Sequence, residues 1–209
     1  LSFYTNPDIA NASNDNDTFS FSGQDANARG IFFKPDGTKI YMTGIGSATV
    51  YQYSLSTPWL VSSTSYDNVS FPYQSPTGET SPRDLNFSSD GTKMYIVGSS
   101  YDSIFEFDLS TAWDLSTATY NNVQFVVSTQ EAVPLSMLFN PDGTKMYVCG
   151  TTDKVFEYDL STGFDISTAS YNNVFASISP DPAGMALKSD GRKIYFMNYS
   201  NDDVYTYSV

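Results

Sequence analysis

Arg29 and Arg83 are two of only three arginines in a chain of 209 residues, and they stand 54 positions apart. A guanidinium presents a planar fork of donors that matches a carboxylate, so two converging arginines would grip an anionic group such as an acidic sugar. Carboxylates lie close by in sequence: Asp25, Glu79, Asp84 and Glu131. Paired across a glycosidic bond, two of these would act as general acid and base. Set beside the arginines, they would instead neutralise them as internal ion pairs. Tyr101 and Tyr199 lie in neighbouring polar loops, where an exposed ring would stack on a sugar face. These residues form the candidate ligand-contacting set. None of them is assigned a catalytic role, and no cofactor or metal is expected.

Composition removes several chemistries. Histidine is absent, so no His-dependent triad, imidazole acid–base step or His-ligated metal is available. Ten basic residues face 23 acidic ones, a net charge of −13, which repels a nucleic-acid backbone and leaves solubility in a salty or extracellular medium as the plain reading. The sharper reading, divalent-cation binding through Asp and Asn oxygens, lacks an Asp-x-Asp-x-Asp-Gly loop. The single cysteine, Cys149, reads as a small buried hydrophobe, and no disulfide can form within the chain. No apolar run reaches membrane-spanning length, so no membrane insertion is expected.

The elements that must position these groups come from a repeat. Residues 33–39, 87–93, 139–145 and 187–193 each run from an apolar residue through a turn ending in Asp-Gly to a lysine. Asp36, Asp90, Asp142 and Asp190 are separated by 54, 52 and 48 residues, a period that denotes repeated supersecondary units. In each turn Asp takes a corner, and Gly37, Gly91, Gly143 or Gly191 takes a left-handed position. Residues 135–139, 145–149 and 155–159 alternate as short strands, and a long polar connection over 160–173 leads to a fourth strand near Val174. No sustained helical period interrupts them. Four strands per unit predict an all-β, four-bladed β-propeller with four antiparallel strands per blade. The blades cover about 27–73, 82–127, 134–178 and 182–209 plus 1–22 of one domain. The last copy lacks a fourth strand, and residues 18–22 are expected to supply it, closing the ring and removing its open edges.

On that frame Arg29 and Arg83 share one register, where the other copies carry Leu135 and Ala183. The connections preceding them differ between copies, and function is expected where the copies differ. Trp59, Trp113 and Phe164 share a register in the long connections, as hydrophobic plugs or as repeated carbohydrate subsites. Asp102, Asp153 and Asp202 recur just before third strands, as turn formers or as a metal ring. Glu106 and Glu157 sit between aromatic residues and require Lys or Tyr partners on neighbouring strands.

The segment Pro141-Asp-Gly-Thr-Lys-Met-Tyr-Val148 resembles the YVTN-type propeller repeats of bacterial and archaeal surface proteins, and Pro82, Pro134 and Pro182 fit that pattern. The longer unit, with Leu109-Ser-Thr-Ala-Trp-Asp114, is similar to repeats in marine bacterial and tailed-phage structural proteins. The long third-to-fourth connection and the low blade count depart from typical YVTN proteins. The resemblance implies an extracellular, cell-surface or virion propeller and carries no catalytic motif. The expectation is a non-catalytic recognition or structural module for carbohydrate or a cell-surface glycan. A glycan-active hydrolase or lyase and a spacer without a small ligand are the alternatives. Oligomeric state is not readable.

Overall fold

The computed structural model describes residues 14–178, 181–188 and 190–208. Blade 1 comprises β1 (Ala28–Phe33), β2 (Lys39–Gly44), β3 (Thr49–Leu55) and β4 (Thr64–Pro72). Blade 2 comprises β5 (Pro82–Phe87), β6 (Lys93–Gly98), β7 (Ser103–Leu109) and β8 (Ala118–Val126). Blade 3 comprises β9 (Pro134–Phe139), β10 (Lys145–Gly150), β11 (Lys154–Leu160) and β12 (Ala169–Ser177). Blade 4 has three strands, β13 (Pro182–Leu187), β14 (Lys193–Asn198) and β15 (Val204–Ser208). Each blade is an antiparallel meander, and together they form the four-bladed propeller arrangement that the repeat predicts.

The turn chemistry behaves as its residues dictate. Gly37, Gly91, Gly143 and Gly191 have φ of 74°, 75°, 73° and 72°. In the first turn the Asp36 carboxylate accepts from Thr38 N at 3.0 Å and Thr38 Oγ1 at 2.6 Å, and Asp142 repeats this with Thr144. Trp59, Trp113 and Phe164 are plugs. Each donates its backbone N–H to the carbonyl of the facing turn glycine at 3.0 Å and lays its ring over that glycine. Trp59 stacks on Phe33 at 5.6 Å, and Phe164 meets Phe139 at 5.2 Å.

Blades adhere through aromatic and aliphatic layers. Tyr41 of blade 1 packs on Phe87 of blade 2 at 4.4 Å, and its hydroxyl donates to the Trp113 carbonyl at 2.6 Å. Tyr95 of blade 2 repeats both contacts with Phe139 and the Phe164 carbonyl. Tyr41 and Tyr95 thus keep their apolar rings in the interface and their hydroxyls satisfied. Cys149 is fully buried in the same kind of layer, and burial pushes its thiol pKa up. Inside the blades a triad of Lys, acid and amide recurs. Lys93 and Asn121 serve Glu106, Lys145 and Asn172 serve Glu157, and in blade 1 the roles exchange, with Lys39 and Gln52 serving Asp67. Lysine is therefore the partner of buried Glu106 and half-buried Glu157.

The strand expected at residues 18–22, which was to close the ring, is not formed. Residues 18–22 adopt no strand, and β15 pairs with β14 alone among the described residues. The rest of that expectation lies on residues 1–13, outside the described residues. Residues 14–22 lie against blade 1. Phe19 and Phe21 meet Tyr53 edge-on at 5.6 and 5.3 Å, and the Asp17 carboxylate accepts from Val61 N and Ser62 N at 2.6 and 2.7 Å. Inner strands pack in sequence, β1 on β5, β5 on β9 and β9 on β13, whereas β13 has no comparable packing on β1.

Candidate functional site

The inner strands bring one end of each blade to a common cleft of about 440 Å³. Its wall includes Arg29 from β1, Arg83 from β5, Leu135 from β9, Thr151 from the blade 3 loop, and Asp181, Met197 and Tyr199 from blade 4. The shared register of the two arginines therefore becomes shared space. Arg29 is exposed, and neither arginine forms an ion pair among the described residues. Arg83 Nε donates to Ser99 Oγ at 2.8 Å, which aims the guanidinium without neutralising it. Tyr199 is highly exposed and lines the same cleft.

The candidate carboxylates do something else. Asp25, Glu79 and Glu131 are buried, and each latches the loop between the second and third strands of its own blade. Asp25 accepts from Asn27 N at 2.7 Å, Ser47 N at 2.9 Å and Ser47 Oγ at 2.8 Å. Glu79 accepts from Ser81 N at 2.6 Å and from Ser100 N and Tyr101 N at 3.2 Å. Glu131 accepts from Val133 N and Thr152 N at 3.1 Å and from Thr152 Oγ1 at 2.6 Å. Burial works against ionisation of Asp25, but its hydrogen bonds from Asn27 and Ser47 outweigh that and hold its pKa below the usual carboxylate range. Three buried acids at one register, each tied to backbone amides, form a repeated scaffold device. None of the three is among the residues that line the cleft.

Asp84 points between blades rather than into the cleft. Its Oδ2 accepts from Ser136 Oγ at 2.6 Å and Met137 N at 3.3 Å, and Ser136 Oγ in turn accepts from Met185 N at 3.2 Å. Burial raises the Asp84 pKa to about 6, with the hydrogen bonds from Ser136 and Met137 opposing it. Tyr101 is half exposed, but its ring meets Phe105 at 6.3 Å and it does not line the cleft. Of the eight residues proposed from sequence, Arg29, Arg83 and Tyr199 converge there. Sequence reasoning missed Thr151, Asp181 and Met197, although the register that aligns Met197 with Cys149 was available. The Asp181 carboxylate accepts from the Ser200 hydroxyl. The turn residues Asp102, Asp153 and Asp202 have φ of 48°, 57° and 57°, the left-handed turn role expected of them. No group of three or more metal-ligating side chains exists among the described residues.

No family model matches the sequence, and no curated protein matches it either. Similarity is found among solved structures. A candidate 6-phosphogluconolactonase of Bacteroides uniformis ATCC 8492 aligns with 87% of this chain and 50% of its own, at 13% identity and a TM-score of 0.60. A protein of unknown function from Desulfotomaculum acetoxidans DSM 771 aligns with 88% of this chain and 55% of its own, at 18% identity and a TM-score of 0.59. The periplasmic gluconolactonase of Pseudomonas aeruginosa aligns with 87% of this chain and 49% of its own, at 16% identity and a TM-score of 0.53. The chain thus spans about half the length of these structures. At such identities the likeness establishes the propeller fold and carries no activity across.

Proposed function

We propose that the axial cleft binds an anionic, carboxylate-bearing carbohydrate and does not turn it over. The observation that carries this reading is the pair of arginines, which enter one cleft from neighbouring blades without an acidic partner among the described residues. A guanidinium held this way costs little reorganisation when a carboxylate arrives. Tyr199 supplies an exposed ring beside them for a sugar face. Hydrolysis by a carboxylate pair finds no support in the same wall. Asp25, Glu79 and Glu131 are consumed by loop amides, and Asp181 is the one acid among the lining residues. The acidic composition and the resemblance to YVTN-type repeats support a place on a secreted, cell-surface or virion protein.

The test is an array of acidic and neutral oligosaccharides, run beside reducing-sugar release and lactone-hydrolysis assays. Binding to acidic glycans without turnover is expected. Arg29→Ala with Arg83→Ala should abolish it while leaving the melting temperature nearly unchanged, because only one hydrogen bond, to Ser99, is lost. Lactone or glycan hydrolysis by the wild-type chain would overturn the non-catalytic reading. Absence of binding to every acidic glycan would give first place to a spacer role.

A further inference from the structure

Each inner strand carries a one-residue bulge at the end that faces the cleft. The pairing of β1 with β2 steps from Ala28 to Gly30 over Arg29, and that of β5 with β6 steps from Pro82 to Asp84 over Arg83. The same step passes over Leu135 in β9 and over Ala183 in β13. A bulge residue is left out of the ladder and its side chain is re-aimed. Here all four line the cleft. The mouth is therefore read by four side chains at one register, two guanidinium groups and two aliphatic groups.

The two kinds are segregated. β1 packs on β5 so closely that a Cβ on Gly30 would lie 2.8 Å from Leu85 N, which sets Arg29 beside Arg83. β13 packs on β9, where Met185 N donates to Ser136 Oγ at 3.2 Å, which sets Ala183 beside Leu135. The cationic pair thus comes from blades 1 and 2, and the aliphatic pair from blades 3 and 4. Leu135 and Ala183 are half-buried, so part of each faces the cleft, and Pro182 extends their side of the wall. A ligand that satisfies the guanidinium groups alone leaves this wall against water. A ligand that sets hydroxyls there strips them of water and gives them no partner. The cleft therefore rewards a carboxylate on one side and a small apolar group on the other. Asp181, whose carboxylate accepts from the Ser200 hydroxyl, is the one lining group that would instead reward a cation.

We propose that the cleft selects an N-acylated acidic sugar, with the carboxylate on Arg29 and Arg83 and the acyl methyl on Leu135 and Ala183. This rests on the carbohydrate reading above and adds the group that decides between one acidic sugar and another. The arginines attract every carboxylate alike, so they steer acidic sugars to the mouth without ranking them. The aliphatic pair does the ranking. A methyl-sized group gained or lost in an apolar pocket changes affinity by about 10–200-fold. Leu135 and Ala183 form a wall rather than an enclosing pocket, so the low end of that range, about tenfold, is expected here.

The test is an NMR titration of the 209-residue chain with N-acetylglucosaminuronic acid, glucosaminuronic acid and glucuronic acid. The three share a carboxylate and differ in one substituent, which is acetamido, ammonium or hydroxyl. The acetamido sugar should bind about tenfold more tightly than the other two. Leu135→Asn should bring it down to the level of glucuronic acid, and Ala183→Ser, a milder change to the same wall, should shift the preference in the same direction. Arg29→Ala with Arg83→Ala should abolish binding of all three. Equal binding of the three sugars, lost in the double arginine variant, would overturn this inference and leave the carbohydrate reading standing. Tighter binding of glucosaminuronic acid would also overturn it, and would make Asp181 the discriminating group. A folded Leu135→Asn protein that keeps the tenfold preference would refute the assigned contact. Absence of binding by any of the three would overturn the inference and the carbohydrate reading together.

Discussion

Four glycines share one backbone conformation but not one environment, and that difference yields a sharp prediction. Gly37, Gly91, Gly143 and Gly191 all lie between φ 72° and 75°, where a Cβ costs about 1–2 kcal/mol whatever the surroundings. At Gly91 an added Cβ would also overlap the Trp113 ring, and at Gly143 it would overlap Phe164. At Gly191 the nearest atom is Pro141 Cδ at 3.7 Å, an ordinary contact. Overpacking of this kind costs about 1–3 kcal/mol more. Gly91→Ala should therefore destabilise by about 2–5 kcal/mol and Gly191→Ala by about 1–2 kcal/mol. Urea unfolding followed by circular dichroism reads the totals, and hydrogen exchange of the flanking strands reads each blade separately. In a Trp113→Ala background the cost at Gly91 should fall to that at Gly191, since the steric part is gone. Equal costs at Gly91 and Gly191 in the wild-type background would show that the plugs yield freely. The account of the ring and glycine as one fitted unit would then fail.

Other consequences are equally direct. Asp84 has its pKa raised to about 6 from 3.8, so between those values the folded state holds a proton that the unfolded state has released. Stability from this group is therefore greatest below about pH 4 and is lost as pH rises to about 6, by roughly 3 kcal/mol. Asp84→Asn should flatten the pH 4–6 limb of a stability profile, and an unchanged slope would contradict the placement of this carboxylate between blades. Glu131→Ala strands Val133 N, Thr152 N and Thr152 Oγ1, and should cost about 1–3 kcal/mol and speed proteolysis at loop 150–153. The same variant should leave glycan binding intact, whereas loss of binding with an unaltered loop would return Glu131 to the site.

The glycine-plug unit shows how much was legible early. A Pro-Asp-Gly or Ser-Asp-Gly turn is a local event, decided by the φ range of glycine and the reach of an Asp side chain over two residues. Its four copies therefore announced the turns, the strands on either side and the repeat. The recurring Trp59, Trp113 and Phe164 register pointed to plugs, and the structure adds that each ring rests on a turn glycine. What the spacing of Arg29 and Arg83 could not convey was the direction of the nearby acids. Asp25, Glu79 and Glu131 stand near the arginines in sequence, yet each turns inward to latch a loop.

Local composition thus determined the all-β class, the blade length, the turn conformations and the exclusion of histidine chemistry, because each depends on a few neighbouring residues. Only the tertiary structure decided where residues 14–22 lie. Phe19, Phe21 and Asp17 lie against Tyr53 and Val61 of blade 1, and residues 18–22 form no strand, although their phrase resembles an outer strand. Whether the last blade meets the first is set by the angle accumulated over three blade-to-blade interfaces. Each interface is fixed by packing among residues roughly fifty positions apart, such as Tyr41 with Phe87 and Tyr95 with Phe139. A repeat specifies what one blade is made of. The rotation between blades emerges from side-chain volumes meeting across an interface, and no single copy of the repeat contains both sides of it.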